Sequence, residues 1–428
     1  MIPLGPDIRH GIIWLFVVVA ASTAFAQTSE IAAPAASTAG APQTSAPSKG
    51  TEQTDPFADL SGASPAAQTQ RETEWVQKFL GDNFGFKKEI MSQFDTDAGG
   101  SNASRQSIGF EVLKRFSNST STIASFDFQG RLVRRDGYNP VANDMEGATR
   151  PGWAFEYHNV YLDLYNILNP FLDDNSRARA IGRVNFRVGR FYVPFGLNLQ
   201  TDTHGTFLQL SNGDDFGFER DWYAGFWGAV NKHLNYDAYY LVGSGYDLKF
   251  KGQSGLGALR ISLSNKYSSE YGLEGGISVI GGERLVSPGG TMALGEASPT
   301  TLAAPLLPLK TQRIGIDARW RRTAPHGLVT FTTELSGGRD AANPVTMQLG
   351  QLEYLHASRR WSIATQFRNF DEASVGRNSA LIGEFTWYFR NDVANTNAHW
   401  IALAIERQLH SFTGKPGTIL ALQYYFYL

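Results

Sequence analysis

The chain has 428 residues, and 38 lysines and arginines nearly balance 40 aspartates and glutamates, leaving a formal net charge of −2. A nucleic-acid partner would require a strongly basic face, so this balance argues against one. The chain contains no cysteine, which excludes disulfides, thiolate metal ligands and a lipidated amino-terminal cysteine. A cysteine-free chain also suits passage through an oxidising compartment in an unfolded state.

The first 26 residues have the features of an export signal. Arg9 and His10 precede an apolar run over 12–20, and small residues then lead to Ala24-Phe25-Ala26. A basic start, a short apolar core and an Ala-x-Ala site predict a Sec signal peptide over 1–26, cleaved near Ala26. An uncleaved anchor is the alternative, but its apolar run is shorter than the roughly 20 residues of a membrane-spanning helix.

Two short segments separate this signal from the rest of the chain. Residues 27–70 are rich in Ala, Ser, Thr and Pro, which predicts a disordered periplasmic arm because such a segment buries little apolar surface. Residues 71–84 place Trp75, Phe79 and Leu80 on one side of a predicted short amphipathic helix. The role of both segments stays open at this stage.

Residues 85–428 alternate apolar and polar side chains with a period of two, in runs of about 9–11 residues, the length with which a tilted strand crosses a membrane. This pattern predicts an all-β fold, a transmembrane antiparallel up-and-down β-barrel. The predicted strands are 86–95, 106–115, 122–132, 154–165, 180–190, 221–230, 235–243, 256–265, 271–281, 311–320, 327–337, 347–357, 360–369, 379–388, 398–407 and 418–428.

The predicted connections alternate between long and short. The long class includes 133–153, 191–220, 282–310 and 338–346, and the short class includes 231–234. Outer-membrane barrels have short periplasmic turns and long outer loops, so the alternation favours this kind of barrel. An even number of strands then places both chain ends in the periplasm, and the predicted location is the outer membrane of a Gram-negative cell.

The alternation also separates a lipid face from a lumen face. Charged side chains on the lipid face cost about 2–4 kcal/mol near the membrane midplane, so the charged face should be the wet one. A soluble sheet with one packed face would show the same pattern, but the sequence offers no helices to cover the apolar faces. The predicted pore-lining residues are Arg131, Arg183, Arg187, Arg260, Arg313, Arg319, Arg368, Asp127, Asp317 and Glu384.

The segment after the fifth predicted strand carries a motif. Gly189 is followed by Pro194-Phe195-Gly196, and the segment continues to Glu219-Arg220-Asp221. This resembles the Gly-x-x-x-x-Pro-Phe-Gly stretch of the phosphate-selective porin (O/P) family, an outer-membrane porin family. The resemblance implies a homotrimeric porin of about 16 strands whose third loop folds into the lumen. The constriction residues that it implies are Pro194, Phe195, Gly196, Asp202, His204, Asp214, Asp215, Glu219 and Arg220.

The predicted function is passive diffusion of small hydrophilic solutes. Phosphate selectivity does not follow from the resemblance, because the loop is acidic as well as basic. The inward arginines nevertheless favour a weak preference for anions such as phosphate, while cross-strand ion pairing is the alternative explanation for about half of the inward charges. A channel specific for a sugar or an organic acid, and a non-conducting structural or adhesion barrel, are the other possible functions.

The last predicted strand alternates Leu420, Leu422, Tyr424, Phe426 and Leu428 on one face. It resembles the carboxy-terminal signal that outer-membrane barrels present to their assembly machinery, with Tyr424, Phe426 and Leu428 in the signal positions. The usual last residue of that signal is Phe, and here it is Leu428. The expected partners are therefore the barrel assembly machinery, outer-membrane lipid and lipopolysaccharide, and small inorganic or organic ions.

An outer-membrane enzyme is the alternative from a different functional class. The histidines have no metal-ligand spacing, and the chain has no Gly-x-Ser-x-Gly nucleophile motif. We therefore expect no enzymatic activity, no cofactor and no metal site.

Overall fold

The computed structural model describes the chain from residue 84 onward, apart from several connections. The described ranges are 84–98, 100, 102–117, 122–136, 153–172, 182–197, 206–209, 211–216, 218–231, 233–245, 254–263, 272–286, 307–373, 376–391, 398–411 and 417–427. The predicted signal peptide and arm lie outside them. So does the predicted amphipathic helix, except for its last residue, Phe84, which begins the first strand.

Sixteen strands make up the described structure. They are β1 (Phe84–Asp97), β2 (Asn102–Ser117), β3 (Thr122–Asp136), β4 (Trp153–Leu164), β5 (Asn185–Tyr192), β6 (Arg220–Ala229), β7 (Leu234–Leu241), β8 (Gly255–Leu263), β9 (Gly272–Val286), β10 (Leu307–Ala324), β11 (Gly327–Asp340), β12 (Asn343–His356), β13 (Trp361–Glu372), β14 (Gly376–Asn391), β15 (Ala398–His410) and β16 (Thr418–Tyr427). A six-residue helix, α1 (Ser211–Phe216), and a 3-10 turn over Asn169–Phe171 lie in the connections.

The strands form one closed barrel, and every strand pairs antiparallel with its neighbours in sequence. The last strand closes the barrel on the first, with Glu89 opposite Tyr427 and Asp97 opposite Ile419. Closure matters because an open sheet edge would leave backbone N–H and C=O groups without partners in lipid. The predicted all-β, sixteen-stranded antiparallel barrel is confirmed.

The strand ends differ from the prediction in two informative places. The strand predicted to begin at residue 180 begins at Asn185, and Arg183 lies in the preceding turn. The long connection predicted over 338–346 is wrong, because β11 and β12 pair as far as Asp340 and Asn343 and are joined by Ala341 and Ala342 alone. Backbone pairing in a hairpin continues while both strands supply partners, even where the side chains no longer alternate.

The side chains sort into two faces as the period-two pattern predicts. On β9 and β10, Ile277 and Ile314 are more than half exposed, whereas Ser278 and Arg313 beside them are buried. The same alternation recurs on β16, where Leu420 and Leu422 are exposed and Ala421 is buried. An apolar outer surface of this kind is unfavourable in water and suits lipid.

Within the described part of the chain, no helix combines the length and the apolar character that a membrane crossing requires.

Candidate functional site

The segment between β5 and β6 begins with a tight contact against the barrel wall. Val193 N donates to Glu219 O at 2.9 Å, which brings the two ends of the segment together, and Gly196 N donates to Ser278 Oγ on β9 at 3.1 Å. Gly196 has φ +72°, and a Cβ there would collide with Glu334 Oε2. The turn at this point therefore requires glycine.

Phe195 is seated on the inner face of β10. Its ring lies over Gly315, where an added Cβ would be 2.7 Å from the ring Cζ. The ring also meets Phe216 of α1 edge to face, with centroids 5.2 Å apart. The predicted constriction residues Phe195 and Gly196 thus contact β9, β10 and α1, and Gly315 provides the space that the ring occupies.

Helix α1 is attached to β10 and β11 through its first and fifth residues. Ser211 Oγ donates to Glu334 Oε2 at 2.5 Å, and Asp215 accepts from Arg313 Nε at 2.9 Å and from Ser336 Oγ. Burial raises the pKa of the Asp215 carboxyl above its ordinary value, and the neighbouring Arg313 acts in the opposite direction.

Behind this helix lies a buried charge network. Asp340 Oδ2 accepts from Arg284 Nη2 at 2.9 Å and from Arg313 Nη2 at 3.0 Å. Arg284 Nη1 also donates to Phe216 O at 2.9 Å, at the end of α1. Buried charges are stable only when they are paired and hydrogen-bonded, and here the pairing joins the helix to three strands, β9, β10 and β11.

The other described part of the segment, residues 206–209, is held by β13 and β14. Glu384 accepts from Phe207 N at 2.8 Å and from Thr206 Oγ1 at 3.0 Å. Gln366 makes two hydrogen bonds to one residue, accepting from Gln209 N and donating to Gln209 O, both at 2.9 Å. The side chains of Glu384 and Gln366 thus bind backbone groups of the segment as a neighbouring strand would.

Phe207 extends these contacts to the last two strands. Its ring is fully buried against Ala402 and Ala404 of β15 and against Ile419 and Ala421 of β16. The small side chains at these positions leave room for the ring. The described contacts of the segment therefore run from β9 round to β16, all on side chains of the buried face.

The remaining predicted constriction residues have different positions. Glu219 and Arg220 form an ion pair of 3.4 Å, and the guanidinium carbon of Arg220 lies 3.9 Å from the Tyr192 ring centroid, so both are fixed at the base of the segment. Pro194 lies in the bend between Val193 and Phe195. Asp202 and His204 lie outside the described residues, as does the side chain of Asp214.

Six of the seven arginines predicted to line the pore lie on strands, and each has a carboxylate partner. The pairs are Arg131–Glu89 at 2.6 Å, Arg187–Asp163 and Arg260–Asp317 at 2.7 Å, Arg313–Asp215 and Arg319–Glu274 at 2.9 Å, and Arg368–Glu406 at 3.4 Å. The seventh, Arg183, is exposed in its turn. The ion-pairing alternative describes these arginines better than a cationic wall.

Arg187 shows how completely such a charge is enclosed. Its Nε and Nη2 each lie 2.7 Å from an oxygen of Asp163. The guanidinium carbon is 4.5 Å from the ring centroids of both Tyr161 and Phe191. A bidentate ion pair stacked on aromatic rings is strongly held and projects little net charge into the lumen.

Of the three predicted pore-lining carboxylates, one has an arginine partner and one accepts hydrogen bonds from the segment. Asp317 pairs with Arg260, and Glu384 accepts hydrogen bonds from the segment between β5 and β6. Asp127 is buried, and its Oδ1 has no hydrogen-bond partner among the described residues.

Of the predicted assembly signal, Tyr424 is exposed on the outer face, Phe426 is half-buried, and Leu428 lies outside the described residues.

Three side chains that bind the segment were not among the predicted site residues, namely Ser336, Gln366 and Arg284. Asp340, which pairs with Arg284 and Arg313 behind the segment, was not among them either. All four are polar residues at inward positions of strands, which is a signal that the alternation alone could have provided. What the alternation could not provide is their partners, because these are remote in sequence.

Among the described residues, no group of histidine, aspartate and glutamate side chains is arranged to hold a metal ion.

No family model matches the sequence, and no curated protein matches it significantly. Solved structures do match. OprB from Pseudomonas putida, in its high-pH structure, is 10% identical and aligns with a TM-score of 0.57 over 83% of this chain and 96% of that chain. An anion-selective porin from Comamonas acidovorans is 9% identical, with a TM-score of 0.49 over 80% of this chain and 98% of that chain. The chain thus has the fold of the outer-membrane porins, the closed antiparallel barrel that OprB shares with it.

Proposed function

We propose that the protein is an outer-membrane porin through which small hydrophilic solutes diffuse passively. The observation that carries the proposal is the closed barrel of sixteen strands with an apolar outer face and a charged inner face. The outer face matches lipid and the inner face matches water, so the barrel separates an aqueous interior from the membrane. This arrangement supports a channel rather than a soluble binding protein.

The segment between β5 and β6 forms the constriction in this proposal. Its contacts with Ser278, Gln366 and Glu384 are all with inward-facing side chains. A segment that meets the inner wall at β9 and again at β14 occupies part of the barrel cross-section. The diameter of the pore then depends on how firmly these side chains hold the segment.

The trimeric assembly and the assembly signal implied by the porin resemblance belong to the same proposal. Tyr424 and the apolar residues before it face outward on β16, the strand that closes the barrel against β1. This position supports a signal that the assembly machinery recognises before β16 pairs with β1 and closes the barrel. Cross-linking of the purified protein in detergent measures the assembly directly, and a trimer is the expected product.

The predicted preference for anions such as phosphate depends on arginines that retain net charge in the lumen. In the described structure, the six strand arginines of that prediction are paired with carboxylates. A paired charge acts at a distance as a dipole, whose field falls off faster than that of a single charge. The anion preference therefore needs cations other than these six arginines.

Single-channel recording in planar bilayers tests the proposal. Purified, heat-modifiable protein should give stable conductance steps. A Gln366→Ala/Glu384→Ala variant should give larger steps, because it removes the two acceptors that hold residues 206–209. The control is Gln348→Ala, which shortens an amide side chain at an outward position of β12.

Two negative outcomes have different meanings in this experiment. Absence of conductance from folded wild-type protein would overturn the porin proposal. Conductance that is identical in the wild type and in the double variant would leave the pore but overturn the constriction.

A further inference from the structure

The inner wall carries an apolar patch near the end at which the chain enters and leaves the barrel. It consists of Met91 on β1, Ala398 and Trp400 on β15, and Tyr425 and Tyr427 on β16, and we call it the mouth patch. Tyr425 lies opposite Met91 on one side and opposite Trp400 on the other. Its ring stacks on the Trp400 ring with centroids 4.5 Å apart. The five side chains therefore form one continuous surface that faces the lumen.

The mouth patch is buried although it faces the lumen. Met91 is 1% exposed and Tyr425 is 2% exposed. Neighbours on adjacent strands shield the sides of such a residue, and its inner end stays exposed unless another group packs on it. Deeper along the same strands, Phe207 covers Ala402 and Ala421 in this way. The described members of the mouth patch all belong to the wall, which points to a covering group from another part of the chain.

Residues 71–83, which lie outside the described ranges, have the composition that such a group needs. The helix that the sequence predicts here has an apolar side, made of Trp75, Val76, Phe79 and Leu80. An apolar side of this kind is unfavourable in water and requires a partner surface. The segment runs directly into β1 at Phe84, the strand that also carries Met91.

The reach of this segment matches the position of the mouth patch. From Phe84 to Met91, seven residues of a strand tilted by 35–45° rise about 18 Å along the barrel axis. Folded back, three extended residues from Phe84 to Gly81 and five helical steps from Gly81 to Val76 also cover about 18 Å. The apolar side of the segment therefore reaches the level of Met91.

We propose that residues 71–83 fold back into the barrel, dock their apolar side on the mouth patch and narrow this end of the lumen. Docking removes apolar surface of both partners from water, which is the driving force of the contact. A helix with its side chains is about 10–12 Å across, so it occupies a substantial part of the mouth. The narrowing rests on the proposed porin function, whereas the docking itself does not.

Cysteine cross-linking of the folded full chain tests the docking, because the chain has no native cysteine. Val76→Cys keeps both aromatic residues of the segment and is combined with Met91→Cys or Ala398→Cys on the mouth patch. The controls combine it with Ile90→Cys or His399→Cys, the neighbouring positions on the outer face. A short bismaleimide should give an intramolecular product, of monomer mass, with the inner positions and none with the outer ones.

The cross-linking result decides the docking without any conductance measurement. Absence of product at both inner positions would overturn it. Equal product at inner and outer positions would overturn it as well, because the barrel wall separates the two faces.

Planar-bilayer recording tests the narrowing. Trp75→Ser/Phe79→Ser should increase the conductance step by about 1.5-fold or more, because the segment loses its hold on the mouth patch. The matched control is Thr73→Ser/Gln77→Ser, which changes two residues at the same spacing on the opposite side of the predicted helix and should leave the step unchanged.

The outcomes of the recording separate the two proposals. A wild-type step in the aromatic variant would overturn the narrowing, and so would an equal increase in the control. Absence of conductance from every heat-modifiable variant and from the wild type would overturn the porin function, and the cross-linking would still decide whether the segment docks.

Discussion

At the scale of single residues, the inner wall works through pairs rather than through separate charges. Arg187 illustrates this, because its guanidinium is bound at both edges by Asp163 and lies against Tyr161 and Phe191. Burying a charge costs several kcal/mol unless a partner is present. The pairs are therefore requirements of a stable wall before they are contributions to selectivity.

Replacing Arg187 alone should destabilise the barrel. Arg187→Met leaves Asp163 buried without its partner, which costs about 3–5 kcal/mol in the free energy of unfolding. The matched variant Arg187→Met/Asp163→Leu removes both charges next to the Phe191 and Trp227 rings and should recover most of that loss. Urea unfolding in detergent, followed by tryptophan fluorescence, measures both. Equal stability of the single and double variants would contradict the pairing argument.

At the scale of elements, α1 depends wholly on its tertiary contacts. A helix of six residues is far below the length at which an isolated helix is stable, since nucleation costs more than so few hydrogen bonds return. The contacts of Ser211, Asp215 and Phe216 with the wall supply what the helix itself cannot. The segment between β5 and β6 is therefore ordered by the barrel.

Asp215→Asn should loosen this segment without unfolding the barrel. The substitution keeps the size of the side chain but removes the charge paired with Arg313, which retains Asp340. We expect a loss of about 1–3 kcal/mol in the local stability of the segment. Faster proteolytic cleavage between β5 and β6 of the folded protein is the measurement.

The control for this experiment is Asp371→Asn, which makes the same change in a partly exposed pair with Arg377. Such a pair contributes little to stability, so this variant should be cut at the wild-type rate. Equal cleavage of the Asp215 and Asp371 variants would show that the charge at Asp215 does not hold the segment.

At the scale of the whole molecule, the barrel reverses the arrangement of a soluble domain. Its large apolar side chains are exposed and its charged side chains are buried, as Leu352 and Arg313 show on β12 and β10. Closure through the pairing of β1 with β16 is what makes this arrangement possible, because it leaves no unpaired edge in lipid.

Spin labels on β12 test this orientation. The chain has no native cysteine, so Gln351→Cys, Leu352→Cys and Glu353→Cys each give one labelled site. The label at 352 should collide more often with oxygen, which is concentrated in lipid, and those at 351 and 353 more often with a polar nickel reagent. Equal accessibility at all three sites, or the opposite alternation, would contradict an apolar outer face.

Local information in the sequence was enough for the strands and their faces. A strand places successive side chains on opposite sides, so the alternation of Ile314 and Ile316 with Arg313 and Asp317 already indicates which face each side chain occupies. The sixteen strands and the barrel followed from that period together with strand length. The two-residue connection between β11 and β12 did not follow, because backbone pairing extends beyond the alternating residues.

Only the tertiary structure decided which residues meet across the barrel. Glu384 binds Phe207, which is 177 positions away in the sequence, and Asp215 binds Arg313, which is 98 positions away. The period of a strand determines the direction of a side chain but not its distance from a remote segment. For that reason the sequence predicts an inward direction for the arginines on strands such as β3 and β10, while their ion pairing emerges only from strand register and from the position of the segment between β5 and β6.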